Sequence, residues 1–216
     1  MLVTFYKKIS RYKNISFNKC ISCYKKIFCY KKAVLIGLAL AITSVCWGNS
    51  AYIYAKAYLA QYLIEDAWQE TLSDGKNHKP WRWADTWPVG KLVFPTQYRS
   101  LYVLAGSHGT SLAFGPGHMD GTALPDETGT KVFSGHRDTH FSFLRKINIG
   151  ERFLLQDKHG GWHIYTFKHT TISDIRTGPW LIDANAGEVH LITCYPFNAL
   201  IPGGPWRFIA TASPAE

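Results

Sequence analysis

The sequence predicts a mostly β domain, a small barrel or sandwich, carried behind an N-terminal transmembrane helix. Three observations predict it. Beyond Pro88 the chain breaks into seven short runs of β-branched, aromatic and aliphatic residues, punctuated by Gly, Pro, Asn and Asp, a rhythm that suits closed or stacked antiparallel sheets rather than alternating α/β units. Residues 33–55 contain no charged side chain. Of the 24 basic residues, nine lie in the first 32 positions, where no acidic residue occurs, so the other 15 balance the 15 acidic residues. A basic nucleic-acid-binding globule is therefore not indicated. With 216 residues and 46% apolar content, the chain supports one ordinary globular domain plus an appendage.

Taken in order, residues 1–32 form a basic cytoplasmic tail. Its Cys20, Cys23 and Cys29 include one C-x-x-C pair with no second pair, short of the four ligands that structural zinc takes. Residues 33–55 form the anchor: as a helix rising ~1.5 Å per residue, the segment reaches roughly 34 Å, enough for a hydrocarbon core of ~30 Å. Its most apolar part, 33–47, has the length of a signal-peptide core and is followed by Gly48, Asn49 and Ser50. The long basic tail, the tyrosines at 52, 54 and 58 and the absence of a clean small-residue cleavage site favour an uncleaved span. Cys46 follows Val45, where a lipoprotein signal would need a small residue. Positive charge inside places the remaining chain on the far side of the membrane.

Residues 56–80 read as a stalk helix and linker. Leu59, Tyr62, Leu63 and Ala67 recur at helical spacing up to about residue 72, and SDGKNHKP follows at 73–80. The domain proper is 81–216. It opens on WRWADTW, three tryptophans in seven residues, which read as an aromatic cover over one barrel end in preference to a glycan-stacking groove. Strands are predicted at 91–95, 101–105, 131–134, 152–156, 162–171, 189–195 and 206–211. No internal repeat or low-complexity stretch interrupts them.

The chemistry centres on Cys194, the one cysteine beyond residue 46. It ends the run VHLITC, and period-two geometry puts His190, Ile192 and Cys194 on one strand face. An exported thiol without a disulfide partner is more often reactive than structural, although free cysteine also packs as a small apolar residue. After a Gly- and Pro-rich loop, the run from Trp206 begins, and antiparallel pairing of the two runs would set Arg207 opposite Cys194. A guanidinium there can lower a thiol pKa or hold an oxyanion. His136, directly after Gly135, is the candidate acid and base, with Asp138 expected to cap a short helix over 139–144. His136 and His140 also stand at i, i+4, but the zinc motif HExxH needs Glu where Arg137 stands. Ser107, His108 and Gly109 resemble part of the SHGC segment of L,D-transpeptidases, with Thr110 in place of the cysteine.

The segments WRWADTW at 81–87, FGPGHMDGTALP at 114–125, SGHRDTHF at 134–141 and ITCYPF at 192–197, with Arg207 beyond, resemble the sortases, membrane-anchored cysteine transpeptidases of the bacterial envelope, and in particular the marine proteobacterial type. The resemblance covers about 81–211, and it implies a single pass through the bacterial inner membrane with the domain in the periplasm. One position departs: His190 stands where the family pattern TLxTC has its first Thr. The resemblance implies an eight-stranded β-barrel with short helices and the catalytic set Cys194, His136 and Arg207, while Thr193, His190 and Tyr195, flanking the thiol, are candidates for contacting substrate. It implies cleavage of an LPxTG-like sorting signal through a thioester and transfer to an envelope amine. Hydrolysis of the same signal by a tethered peptidase, or a non-catalytic barrel that binds through its tryptophan-rich face, are the alternatives. No prosthetic group or metal is implied, and the carboxylates are too scattered for a calcium site.

Overall fold

A computed structural model describes residues 2–178, 182–199, 201 and 203–215, with side chains described from Tyr30 onward except those of Ala33 and Thr110. The tail side chains, including Cys20, Cys23 and Cys29, lie outside the described residues. The chain forms two compact units, Met1–Lys56 and Ala57–Glu216.

Helix α1 is assigned over Leu2–Asp74. In the first unit it exposes Leu35, Ile36, Leu38, Leu40 and Val45, and it is long and apolar enough to be a candidate membrane span. In the second unit the same helix behaves differently. Ala60, Ile64, Ala67, Trp68 and Thr71 are buried along one stripe, the spacing of a single helix face. Trp68 Nε1 donates to Gln156 Oε1 at 3.3 Å and Gln61 Nε2 to the Phe114 carbonyl at 2.7 Å. This segment is therefore docked on the domain, which corrects the reading of it as a stalk. Gly75, at φ +72°, ends the helix, and its N–H returns to the Thr71 carbonyl.

Eight strands close a barrel: β1 Pro88–Phe94, β2 Arg99–Ala105, β3 Gly117–His118, β4 Lys131–Ser134, β5 Arg152–Gln156, β6 Trp162–Asp174, β7 Val189–Cys194 and β8 Trp206–Pro214. Their order around the barrel is β1-β2-β3-β4-β7-β8-β6-β5. Closure removes the free edges that an open sheet of short strands would present. Short helices lie in the connections, α2 at Gly109–Phe114 and a 3-10 helix at Ser142–Lys146. The mostly β barrel expected from the sequence is thus observed.

Inward positions alternate with outward ones, as in β5, where Phe153 and Leu155 are buried. The centre is aromatic: Phe94 lies 4.6 Å from Phe143 and 5.1 Å from Phe153, and Phe153 lies 5.0 Å from Phe167, between ring centroids. Tilted packing at these separations fills the small interior with large apolar area. The WRWADTW segment is not uniformly a cover. Trp87 packs against the core and Trp81 against Phe114, whereas Trp83 is 84% exposed.

Two pairings decide where the chemistry sits. β4 and β7 run parallel, with Ser134 opposite Ile192, so both strands end at the same barrel edge. β8 runs antiparallel to β7, with Arg207 opposite Cys194, so β8 starts where β7 finishes.

Candidate active site

At that edge a cleft of about 470 Å³ is lined by Cys194, His136 and Arg207 together with Ser107, Met119, Ser134 and several isoleucines. Each of the three polar residues is positioned by the end of a strand. Cys194 is the last residue of β7 and is half-buried. His136 follows β4 by two residues and is exposed.

The two segments are stitched together directly. Gly135 N–H donates to the Ile192 carbonyl at 3.0 Å, and Thr193 Oγ1 donates to the Gly135 carbonyl at 2.7 Å. Thr193 thus serves the site by holding the histidine turn against the cysteine strand. Gly135 is required by packing: a Cβ there would lie 2.8 Å from Phe141 Cδ2 and 3.0 Å from Cγ, against a ring that is fully buried. The Phe141 N–H in turn donates to the His136 carbonyl at 3.0 Å.

The Arg207 guanidinium donates through Nη1 to the carbonyls of Gly204 at 2.7 Å and Trp206 at 3.0 Å. Among the described residues, its Nε and Nη2 make no hydrogen bond. His140, four residues after His136, is pushed below the usual imidazole range by burial first and then by the charge of His136, against a hydrogen bond with the Ala113 backbone.

One expectation needs correction. Asp138 caps no helix: the 3-10 turn begins after Phe141 without a side-chain cap, and Asp138 instead stands 3.5 Å from Arg137 Nε. Neither His190 nor Tyr195 is among the residues that line the cleft. His190 shares a strand face with Ile192 and Cys194, but it sits four residues back and is buried. Its Nδ1 lies 3.0 Å from Thr211 Oγ1 and its Nε2 3.2 Å from Glu188 Oε2. Burial, and then the charge of His169, push its pKa down to about 4.

The sequence reading also passed over Arg137. It is 5% exposed and donates through Nη1 to the Pro196 carbonyl at 2.8 Å, and through Nη2 to those of Ala199 at 2.8 Å and Ile201 at 3.4 Å. One side chain thereby ties the His136 turn to the segment that leaves Cys194. A charged residue in a polar loop carries no sequence signal of burial. Asp174 is a second such case: it takes Arg176 through two carboxylate oxygens at 3.0 and 2.6 Å and closes the turn that presents Ile175 to the cleft.

Fold and cleft together define a closed barrel with a thiol, an imidazole and a guanidinium gathered at one edge. The sequence matches the family described as Sortase domain over residues 92–215, and the chain belongs to that family. Sortase D of Bacillus subtilis (strain 168) is 30% identical over 120 residues, which make up 56% of this chain and 60% of that protein. The match thus spans about three fifths of that relative. Among solved structures, Sortase A from Corynebacterium diphtheriae superposes with a TM-score of 0.54 at 21% identity, covering 73% of this chain and 84% of that one. A Clostridium perfringens Sortase D5 transpeptidase gives 0.53 at 19%, covering 70% and 89%. At these identities the structures bear on the fold alone.

Proposed function

We propose that this protein is a membrane-anchored cysteine transpeptidase that cleaves an LPxTG-like sorting signal and passes the acyl group to an amine. The observation that carries the reading is the convergence of Cys194, His136 and Arg207, from three strand ends, on one cleft. In the first step the Cys194 thiolate attacks the carbonyl carbon of the Thr–Gly bond, and the oxyanion is held by the free side of the Arg207 fork. The C–N bond then breaks as His136, entering as imidazolium, gives its proton to the leaving amine. A thioester remains on Cys194. An incoming amine attacks it, His136 takes back a proton, and the C–S bond breaks to regenerate the thiolate and release the new amide. Thr193 acts as a positioning residue in this scheme, through its bond to the Gly135 carbonyl.

The candidate span and the nine basic residues before it support a single pass with the N-terminus cytoplasmic and the barrel in the periplasm. The partners are then a sorting-signal protein and an amine of the cell envelope.

The test is mass spectrometry of the detergent-solubilised full chain with an LPETG peptide, with and without a small amine. An acyl adduct on Cys194 that becomes an amide product only when amine is present is the expected result. Free acid in both conditions would mark a peptidase instead, and an active Cys194→Ala protein would overturn the assignment. Arg207→Lys should lose nearly as much activity as Arg207→Ala, because an ammonium cannot reproduce the planar fork.

A further inference from the structure

Buried hydroxyls in this domain are committed to internal partners. Thr193 Oγ1 donates to Gly135, Thr130 Oγ1 to the Asp183 carbonyl at 2.6 Å, Thr71 Oγ1 to the Ala67 carbonyl at 2.9 Å and Ser111 Oγ to the His108 carbonyl at 2.8 Å. Ser134 breaks the pattern. Its Oγ is buried and has no hydrogen-bond partner, the one hydroxyl in that state among the described residues. A hydroxyl carries one proton and two lone pairs. Leaving them unpaired away from water costs free energy that a folded chain ordinarily avoids.

The place of this hydroxyl gives the exception a meaning. Ser134 ends β4 immediately before Gly135 and His136 and lines the cleft. Its parallel partner on β7 is Ile192, two residues before Cys194, and its antiparallel partner on β3 is Gly117. It is therefore flanked by strands on both sides. The cleft that it lines carries apolar residues, Leu112, Met119, Ile192 and Ile209, beside the polar set of Cys194, His136 and Arg207. The unsatisfied hydroxyl thus belongs to a cleft residue whose strand partner, Ile192, stands two residues before the thiol. An extended peptide offers alternating carbonyl and N–H groups along its length.

We propose that Ser134 is a substrate-binding residue whose hydroxyl hydrogen-bonds the backbone of the peptide held in the cleft. The inference rests on the transpeptidase reading and adds to it a contact outside the Cys194, His136 and Arg207 set. It also carries a signature that a structural role would lack. Removing the hydroxyl relieves an unpaired buried group in the free protein while removing a bond from the complex, so stability and substrate affinity move in opposite directions.

The experiment compares Ser134→Ala with the native sequence as full chain in detergent, using a quenched-fluorescence LPETG peptide, iodoacetamide as a peptide-independent probe of Cys194, and thermal unfolding without ligand. The expected result is a drop in kcat/KM of about ten-fold, the worth of one neutral hydrogen bond, expressed in KM with kcat within about two-fold. Iodoacetamide labelling should be unchanged and the melting temperature equal or higher. Unchanged kcat/KM would overturn the inference alone, as would a loss confined to kcat. So would a melting temperature lower by about 3 °C or more, since the hydroxyl would then be paired in the folded protein. A native protein that reacts with iodoacetamide yet never turns over the peptide would overturn the transpeptidase reading and this inference with it.

Discussion

Replacing Arg137 by alanine should cost both stability and catalysis, and the size of each loss follows from its contacts. The side chain is 5% exposed and makes two bonds of 2.8 Å and one of 3.4 Å to carbonyls of the segment after Cys194. Hydrogen bonds from a charged donor contribute about 1.5–3 kcal/mol each. The longest of the three counts for little, and the half-buried loop carbonyls regain some water once the side chain is gone. The ion pair with Asp138, whose side chain is 70% exposed, adds at most about 1 kcal/mol. A net loss of about 3 kcal/mol results, or roughly 6–12 °C in melting temperature for a domain of this size.

The catalytic loss has a separate origin. Without Arg137 the His136 turn is no longer tied to the segment leaving Cys194, and misplacement of a proton-transfer group by about 1 Å costs on the order of 100-fold. The fall should appear in kcat more than in KM. Arg137→Lys should recover only part of either loss, because one ammonium cannot fork to three carbonyls. Thermal unfolding and steady-state kinetics of the two variants provide the assay. An Arg137→Ala protein that melts within about 2 °C of the native one and keeps its kcat would refute the reasoning.

Two further predictions concern the frame of the site. His190 is held neutral in the folded protein by its pKa of about 4, whereas in the unfolded chain it protonates near 6.5. Its contribution is therefore intact above pH 6.5 and is lost as the pH falls from there toward 4, because only the unfolded chain takes up the proton. His190→Gln should flatten that part of the melting-temperature profile, and an unchanged slope would count against the burial argument. Trp68 is fully buried between the docked helix and the barrel, so Trp68→Ala should remove about 3–5 kcal/mol and lower the melting temperature by roughly 10 °C. A free stalk would lose nothing.

Much of the barrel was legible in the chain because strand formation is largely local. The runs at 131–134 and 152–156 match β4 and β5 to the residue, since apolar and β-branched residues are bounded there by turn formers. Where local signals weaken, the reading falls short. β3 is two residues directly after Gly115 and Pro116, and it becomes a strand only because β2 and β4 lie on either side of it. β6 continues past the predicted 171 to Asp174 because β8 pairs with it that far, to Trp206. The stripe of Ala60, Ile64, Ala67 and Trp68 is visible as a helix face in the sequence, but a stalk and a docked helix share that periodicity until the barrel surface is known.

By itself the sequence determined which residue types could do the chemistry: a lone thiol at a strand end, a histidine after a glycine, an arginine opening the next strand. Those are properties of side chains and of near neighbours in the chain. That His136 shares an edge with Cys194 depends on β4 and β7 pairing in parallel, a contact across more than fifty residues that no local periodicity encodes. The tertiary structure alone likewise decided that Arg137 is buried and three-fold bonded, that His190 turns to Thr211 and Glu188 and stays out of the cleft, and that the Ser134 hydroxyl is left unpaired. Burial and hydrogen-bond satisfaction are properties of the packed whole, because they depend on which distant carbonyls and side chains the closed barrel brings within reach.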